Sequence, residues 1–343
     1  MGRKAFGILM MVLFLGLITH STMAADLVIS FAGGAAGDAV KDCFIKPFEQ
    51  ATGLKVGFEA THEFSKLKAM VQSGTVTWDL AEGPSIDFVI LWAEEGLLEP
   101  LDYTIIDKKG LYQETLHKYG IGKAFYSTVL GYNSARYPKG AHPTSWKDFW
   151  DVKKFPGARC LRNAPDNNLE FGLMADGVPP DKLYPLDIDR AFRSLDRIKP
   201  HVKVWWDAGA QPAQLLTDQE VDMASGWNGR ILYVQKQGAK VGLEWNQGVL
   251  MFSSWVVPKG APHAKNAMKF LNFSHQPKLQ ACYAAAVGYP GVSVKAVDYL
   301  DSKFASDLPT YAENYKKQAV MNYEWWRQNR KKVEDLWNAW MVK

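Results

Sequence analysis

Apolar residues in this chain recur in two rhythms. Short runs such as Asp26 to Phe31, Leu54 to Glu59 and Trp78 to Ala81 have the length of strands. Each leads into a stretch where apolar residues return every three or four positions, as at Val40, Phe44 and Phe48. The pattern predicts strands over 26–31, 54–59 and 78–81. It predicts helices over the residues carrying Val40 to Phe48, over 64–72, and from Ser85 to Leu98. A second series follows the apolar strand Tyr126 to Asn133. Ser145 is placed to cap a helix carrying Trp146, Phe149 and Trp150. Next come a strand at Cys160-Leu161, helices over 169–176 and 188–198, a strand over 202–206, and elements at 213–217 and 221–227. An extended run over 251–258, an amphipathic helix over 264–272 and Trp-rich helical residues 315–341 complete the pattern. Strands alternating with helices predict an α/β fold whose mostly parallel sheet is covered on both faces.

The first two dozen residues break this rhythm. Arg3 and Lys4 precede an uncharged run from Phe6 to Ile18, and small residues follow up to Ala25. The run is shorter than the roughly 20 residues a bilayer span needs, so residues 1–25 read as a cleavable signal peptide. The alternative is an uncleaved anchor. Cleavage leaves about 318 residues, more than one core usually supports, so two domains are expected in a periplasmic protein. It also lowers the formal charge from +4 to about +2. Basic residues are dispersed. The one cluster, Arg327 with Arg330, Lys331 and Lys332, is interleaved with Glu324, Glu334 and Asp335, so it reads as a solvated helix face, not a nucleic-acid surface.

Chemistry is conspicuous mainly by what the motifs lack. Gly34-x-x-Gly37 follows a strand, but a dinucleotide fingerprint needs glycine at position 32, which is Ala32. Small residues there still let a ligand approach a helix N-terminus. Cys43, Cys160 and Cys282 have no metal-ligand spacing and can form at most one bridge, whose members the spacing does not identify. The histidines show no nucleophile–base arrangement, and no Gly-x-Ser-x-Gly elbow occurs. No catalytic residue, metal or cofactor is expected. With 13 Trp and 14 Tyr, most rings must be core, leaving a few to line a ligand box.

Several segments together carry a family likeness: Pro47 to Val56, Trp78-Asp79, Glu95 to Asp102, Thr144 to Trp150, Phe155-Pro156-Gly157, Trp227-Asn228-Gly229-Arg230, Val257 to Pro262, Phe270 to Phe273 and Gly288-Tyr289-Pro290. Their order and spacing resemble the spermidine/putrescine-binding proteins of ABC importers over nearly the whole mature chain. The resemblance implies a two-lobed type II periplasmic-binding-protein fold with a ligand cleft between lobes that close over it. Lobe one would span 26–132 plus 257–300 and lobe two 133–256, with 301–343 packing across lobe two. Strands would cross near Gly131–Ser134 and Ser254–Pro258. The implied partners are a small amine or zwitterion and an inner-membrane ABC permease, with the binding protein a monomer. The rival readings are a periplasmic enzyme on an α/β scaffold and a chemosensory binding subunit.

The resemblance also implies a pocket. Trp227 matches the ring that stacks on the ligand, Tyr289 a pocket tyrosine, and Asp166 an acid that holds an ammonium. The chain departs from the pattern where the first loop's aromatic residues become Gly33-Gly34-Ala35-Ala36, and where two family acids become Leu169 and Ser253. The expected ligand-binding set is Gly34, Ser85, Tyr126, Asp166, Trp227, Arg230, Ser253 and Tyr289. A long polyamine needs about one carboxylate per buried charge, so losing two acids disfavours it. Arg230 and Arg162 offer a fork to a carboxylate or phosphonate, or else face outward in structural ion pairs.

Overall fold

The computed structural model describes residues 25–343 apart from 62, 84 and 139. The leader expected over residues 1–25 lies, but for Ala25, outside the described residues. Ten strands form one sheet: β1 (Leu27–Phe31), β2 (Val56–Ala60), β3 (Leu80–Gly83), β4 (Leu116–His117), β5 (Gly120–Asn133), β6 (Arg159–Arg162), β7 (Val202–Trp206), β8 (Met223–Trp227), β9 (Val241–Val256) and β10 (Ala319–Val320). The main order is β2-β1-β3-β9-β5-β8-β6-β7. β1 runs parallel to β2 and β3, and β6 runs parallel to β7 and β8. Two parallel halves therefore flank a central antiparallel pair, β5 with β9.

The central strands explain the two lobes. β5 is buried along all of its 14 residues except Tyr126, as expected of a strand covered on both faces. From Ile121 to Thr128 it pairs with Val249 to Trp255, and from Leu130 to Asn133 with Val241 to Glu244. The register breaks between Thr128 and Leu130, and from Thr128 onward β5 also pairs with β8. At its far end β9 pairs with β3 through Ser254 to Val256. One pair of strands thus serves both halves of the sheet.

Each half has its own core. In the first, Leu27, Ile29, Phe31, Phe44, Phe48, Ile121, Trp255, Phe270 and Tyr283 pack together. In the second, Trp146, Phe149, Leu161, Phe171 and Leu195 pack with Trp326, Val333, Trp337 and Trp340 of the C-terminal helix Tyr323–Met341. Of the segment expected to pack across the second lobe, this helix lies in its core. Leu300, Asp301 and Phe304, by contrast, sit beside Asp42, Cys43 and Cys282 of the first half. Cys43 and Cys282 are bridged across 239 residues of sequence, and Cys160 is a buried thiol whose pKa burial pushes up to about 12.

Local signals and structure mostly coincide. Ser145 caps the helix Trp146–Trp150, its hydroxyl accepting from the Asp148 amide, and the helix Ile188–Ile198 and β7 have the predicted bounds. The sequence reading missed the helix Pro277–Val287 and the first ten residues of β9. That part of β9 carries Glu244, Asn246 and a left-handed Gln247 at φ 64°, which breaks both the apolar run and the alternation.

Candidate functional site

Ligands of open α/β sheets bind beyond the carboxyl ends of the strands. In this chain the ends of β3, β6 and β8 converge on Tyr126 at the middle of β5. A cavity of ≈ 310 Å³ opens there, lined on the first half by Ser85 and Phe88 and on the second by Arg162 to Asp166. Tyr126 and Met251 of the central strands form its floor, and Arg330, Glu334, Trp337 and Asn338 of the C-terminal helix complete it.

The aromatic wall is built from unusual local packing. Trp227 ends β8 and meets Tyr126 edge-on at 5.9 Å and Trp206 at 5.6 Å between ring centroids. A Cβ on Gly209 would lie 2.0 Å from the Trp227 ring, so only glycine lets the indole lie flat against that loop. Tyr289 also meets Tyr126 edge-on, at 6.4 Å between centroids. A Cβ on Gly229 would meet the Tyr289 ring at 2.5 Å, which gives the Trp-Asn-Gly run its physical reason. Asn228 fastens this corner: its Oδ1 accepts from the Ser127 amide at 2.9 Å and its Nδ2 donates to the Gly288 carbonyl at 3.0 Å. Sequence reasoning missed Asn228 as a strut, although it stands inside a motif already singled out.

The charges are less evenly satisfied. Asp166 lies in the cavity wall with its Oδ2 2.5 Å from Arg162 Nη1 and its Oδ1 3.9 Å from Arg330 Nη1. Burial favours its neutral form, but Arg162 and then Arg330 outweigh this and hold the carboxyl below its usual range. The loop carrying it is fixed by Asn168, whose Nδ2 donates to the carbonyls of Arg162 and Ala164, and by Asn167 at φ 72°. Arg162 therefore makes an inward ion pair. Arg230, in the helix Asn228–Lys236, forms no ion pair among the described residues, and its Nε is buried without a hydrogen-bond partner. The indole N–H of Trp227 and the hydroxyl of Tyr289 are likewise buried and unpartnered. Burial raises the pKa of Tyr126 and of Tyr289, with Arg162 and Arg230 respectively working against it, so both hydroxyls stay protonated and able to donate.

Of the eight expected residues, the cavity lining brings together Ser85, Tyr126 and Asp166. Trp227 and Tyr289 join them through ring contacts with Tyr126. Arg230 is near enough to Tyr289 to act on its hydroxyl electrostatically. Ser253 pairs with Ala124 and shares a sheet face with Met251 two residues away, but does not line the cavity. Gly34 opens the helix after β1 at φ 67°, exposed and also outside the lining. Leu169 is fully buried in the second core. Beside Ser253's face, Lys123 Nζ pairs with Glu82 Oε1 at 2.5 Å, both nearly buried. Among the described residues no cluster of His, Cys, Asp or Glu is arranged to hold a metal, and no described helix is long and apolar enough to cross a membrane.

Two α/β lobes joined by a shared strand pair, with a polar and aromatic cleft at the junction, define a binding protein of the type II periplasmic class. The solved structure of an ABC transporter substrate-binding protein from Bradyrhizobium japonicum superposes with a TM-score of 0.89 at 41% identity, covering 93% of this chain and all of that one. The chain belongs to the bacterial extracellular solute-binding protein family, whose model matches residues 44–313. A γ-aminobutyric acid-binding protein of Pseudomonas aeruginosa is 36% identical over 92% of this chain and 90% of its own length. The spermidine/putrescine-binding periplasmic protein of Escherichia coli is 25% identical over 82% of each chain. The family is one of transport proteins that bind small solutes for ABC importers, and not of enzymes.

Proposed function

We propose that this chain is the periplasmic, monomeric binding component of an ABC importer, and that its ligand is a small zwitterion with a carboxylate at one end. Arg230 takes the carboxylate, Trp227 and Tyr126 flank the ligand's body, and Tyr289 donates a hydrogen bond. The ammonium lies toward Asp166, whose charge it shares with Arg162 and Arg330. The observation that carries this reading is the set of three buried, unpartnered donors, Arg230 Nε, Trp227 Nε1 and Tyr289 OH, on residues gathered beside Tyr126. Such atoms are costly unless something completes them. A cleft with one uncompensated guanidinium and no uncompensated acid suits an anion-bearing ligand better than a diamine. The similarity to a γ-aminobutyric acid-binding protein supports the same class. The proposed hinge lies where the register between β5 and β9 shifts, at Thr128–Leu130 and Glu244–Val249.

Calorimetric titration with γ-aminobutyrate, putrescine and spermidine tests the reading. Wild type should prefer γ-aminobutyrate, and Arg230→Met should lose it. Tight spermidine binding that survives Arg230→Met would overturn the assignment.

A further inference from the structure

The C-terminal helix Tyr323–Met341 belongs to the second core, yet one of its side chains reaches into the first lobe. Three tryptophans anchor it to the second lobe: Trp326 donates to Glu170 at 2.8 Å, Trp337 to Asn163 at 3.4 Å and Trp340 to Asp196 at 2.7 Å. Between them, Arg330 points at the helix Ile86–Glu94 that follows β3. Its Nε lies 2.7 Å and its Nη2 2.5 Å from Asp87 Oδ2, with the two side chains 4% and 0% exposed. The guanidinium lies 4.0 Å from the Phe88 ring centroid. The other Asp87 oxygen accepts from Ser85, a cavity residue. On its remaining edge Arg330 faces Asp166 at 3.9 Å and Glu334 at 3.2 Å.

We infer that Arg330 is a positioning residue for ligand capture. It registers Ser85 and Asp87 on one wall against Asp166 on the other, making the C-terminal helix a third connection between lobes beside β5 and β9. The inference rests on the same cleft as the ligand assignment, but not on which solute fills it. A buried pair whose partners come from different bodies holds those bodies together, because separating them leaves two charges desolvated and unmatched. Opening of the cleft on the Ser85 side therefore requires this pair to part or to move as one. By contrast Arg327, one turn earlier, reaches Glu94 of the same first-lobe helix at 3.2 Å across an exposed surface. An exposed pair of that kind contributes little.

The test measures geometry without ligand. Spin labels at Lys55→Cys and Lys203→Cys, exposed sites on the two lobes, report the interlobe distance by pulsed electron resonance. The inference expects Arg330→Met to lengthen or broaden the distribution, Arg330→Lys to restore it in part, and Arg327→Ala to leave it as in wild type. Should Arg330→Met fail to fold with Asp87 left unpaired, the double variant Arg330→Met with Asp87→Asn removes both charges and is measured in its place. For whichever of γ-aminobutyrate, putrescine or spermidine binds wild type, the same variant should weaken the dissociation constant about tenfold or more, without a matching loss of melting temperature. An unchanged ligand-free distance in the folded variant would overturn the inference. A normal shift in distance with no binding of any of the three solutes would instead overturn the ligand assignment and leave the positioning role standing.

Discussion

The cleft's chemistry rests on single atoms left waiting for a partner. Trp227 is the most informative of these, because its ring is held by Gly209 and Trp206 while its indole N–H makes no bond. Trp227→Ala should therefore weaken binding by about 0.5–2 kcal/mol, the range of a stacking or cation–π contact, while thermal melts show a folded protein. Global unfolding would identify the ring as core. Trp227, Arg230 and Tyr289 could be proposed from the sequence because each stands in a short motif, and Gly209 and Gly229 leave no room for a side chain beside the Trp227 and Tyr289 rings. Arg330 was not, since it meets Asp87 across 243 residues and reads locally as one basic residue on a charged helix. Asp166 was expected as an ammonium anchor, but its two arginine partners were not assigned to it. Its meaning changed with them, from a free acid to one already matched.

Secondary elements here are set by local rules and then joined by buried polar ties. Helix caps such as Ser145 with Asp148, and short strands such as β7, were readable because they depend on neighbours a few residues apart, whereas the long central strands β5 and β9 were read six and ten residues short at their N-terminal ends. The tie between the C-terminal helix and the helix Asn168–Ala175 was not readable. It runs through Glu170, fully buried, whose Oε1 accepts from Tyr184 at 2.7 Å and Trp326 at 2.8 Å. Burial raises the Glu170 pKa to about 7, the bonds from Tyr184 and Trp326 oppose the rise, and the nearby charge of Asp166 adds to it. The folded state thus holds a proton that the unfolded state releases near 4.5. This contribution to stability is complete below about 4.5 and is lost as pH rises through about 7. Melting curves between pH 5 and 8 should show wild type losing stability relative to Glu170→Gln as pH rises. Parallel curves would mean that Glu170 does not carry the proton.

At the scale of the molecule, the sequence predicted two α/β lobes correctly but could not show how they interleave. Alternation of strand and helix is a local pattern, whereas the insertion of β9 between β3 and β5 depends on pairings more than a hundred residues apart. The Cys43–Cys282 bridge closes that long excursion. Because it restricts the unfolded chain over so many residues, removing it by Cys43→Ser with Cys282→Ser should lower stability by about 2–4 kcal/mol. Chemical denaturation of the oxidised protein and the double variant checks this, and equal midpoints would show the bridge to be incidental.

The same interleaving has a consequence for how the protein is made. A chain synthesised from its N-terminus emerges in order, yet the first lobe needs β9, and the partner of Cys43 at residue 282, before its sheet and its bridge can close. The second lobe, drawn from one uninterrupted stretch apart from its C-terminal helix, has most of its strands at hand much earlier. Both lobes therefore close late, the first only with Cys282 and the second only with the helix Tyr323–Met341, and until β9 is made the lobe that begins the sequence waits as an open sheet edge.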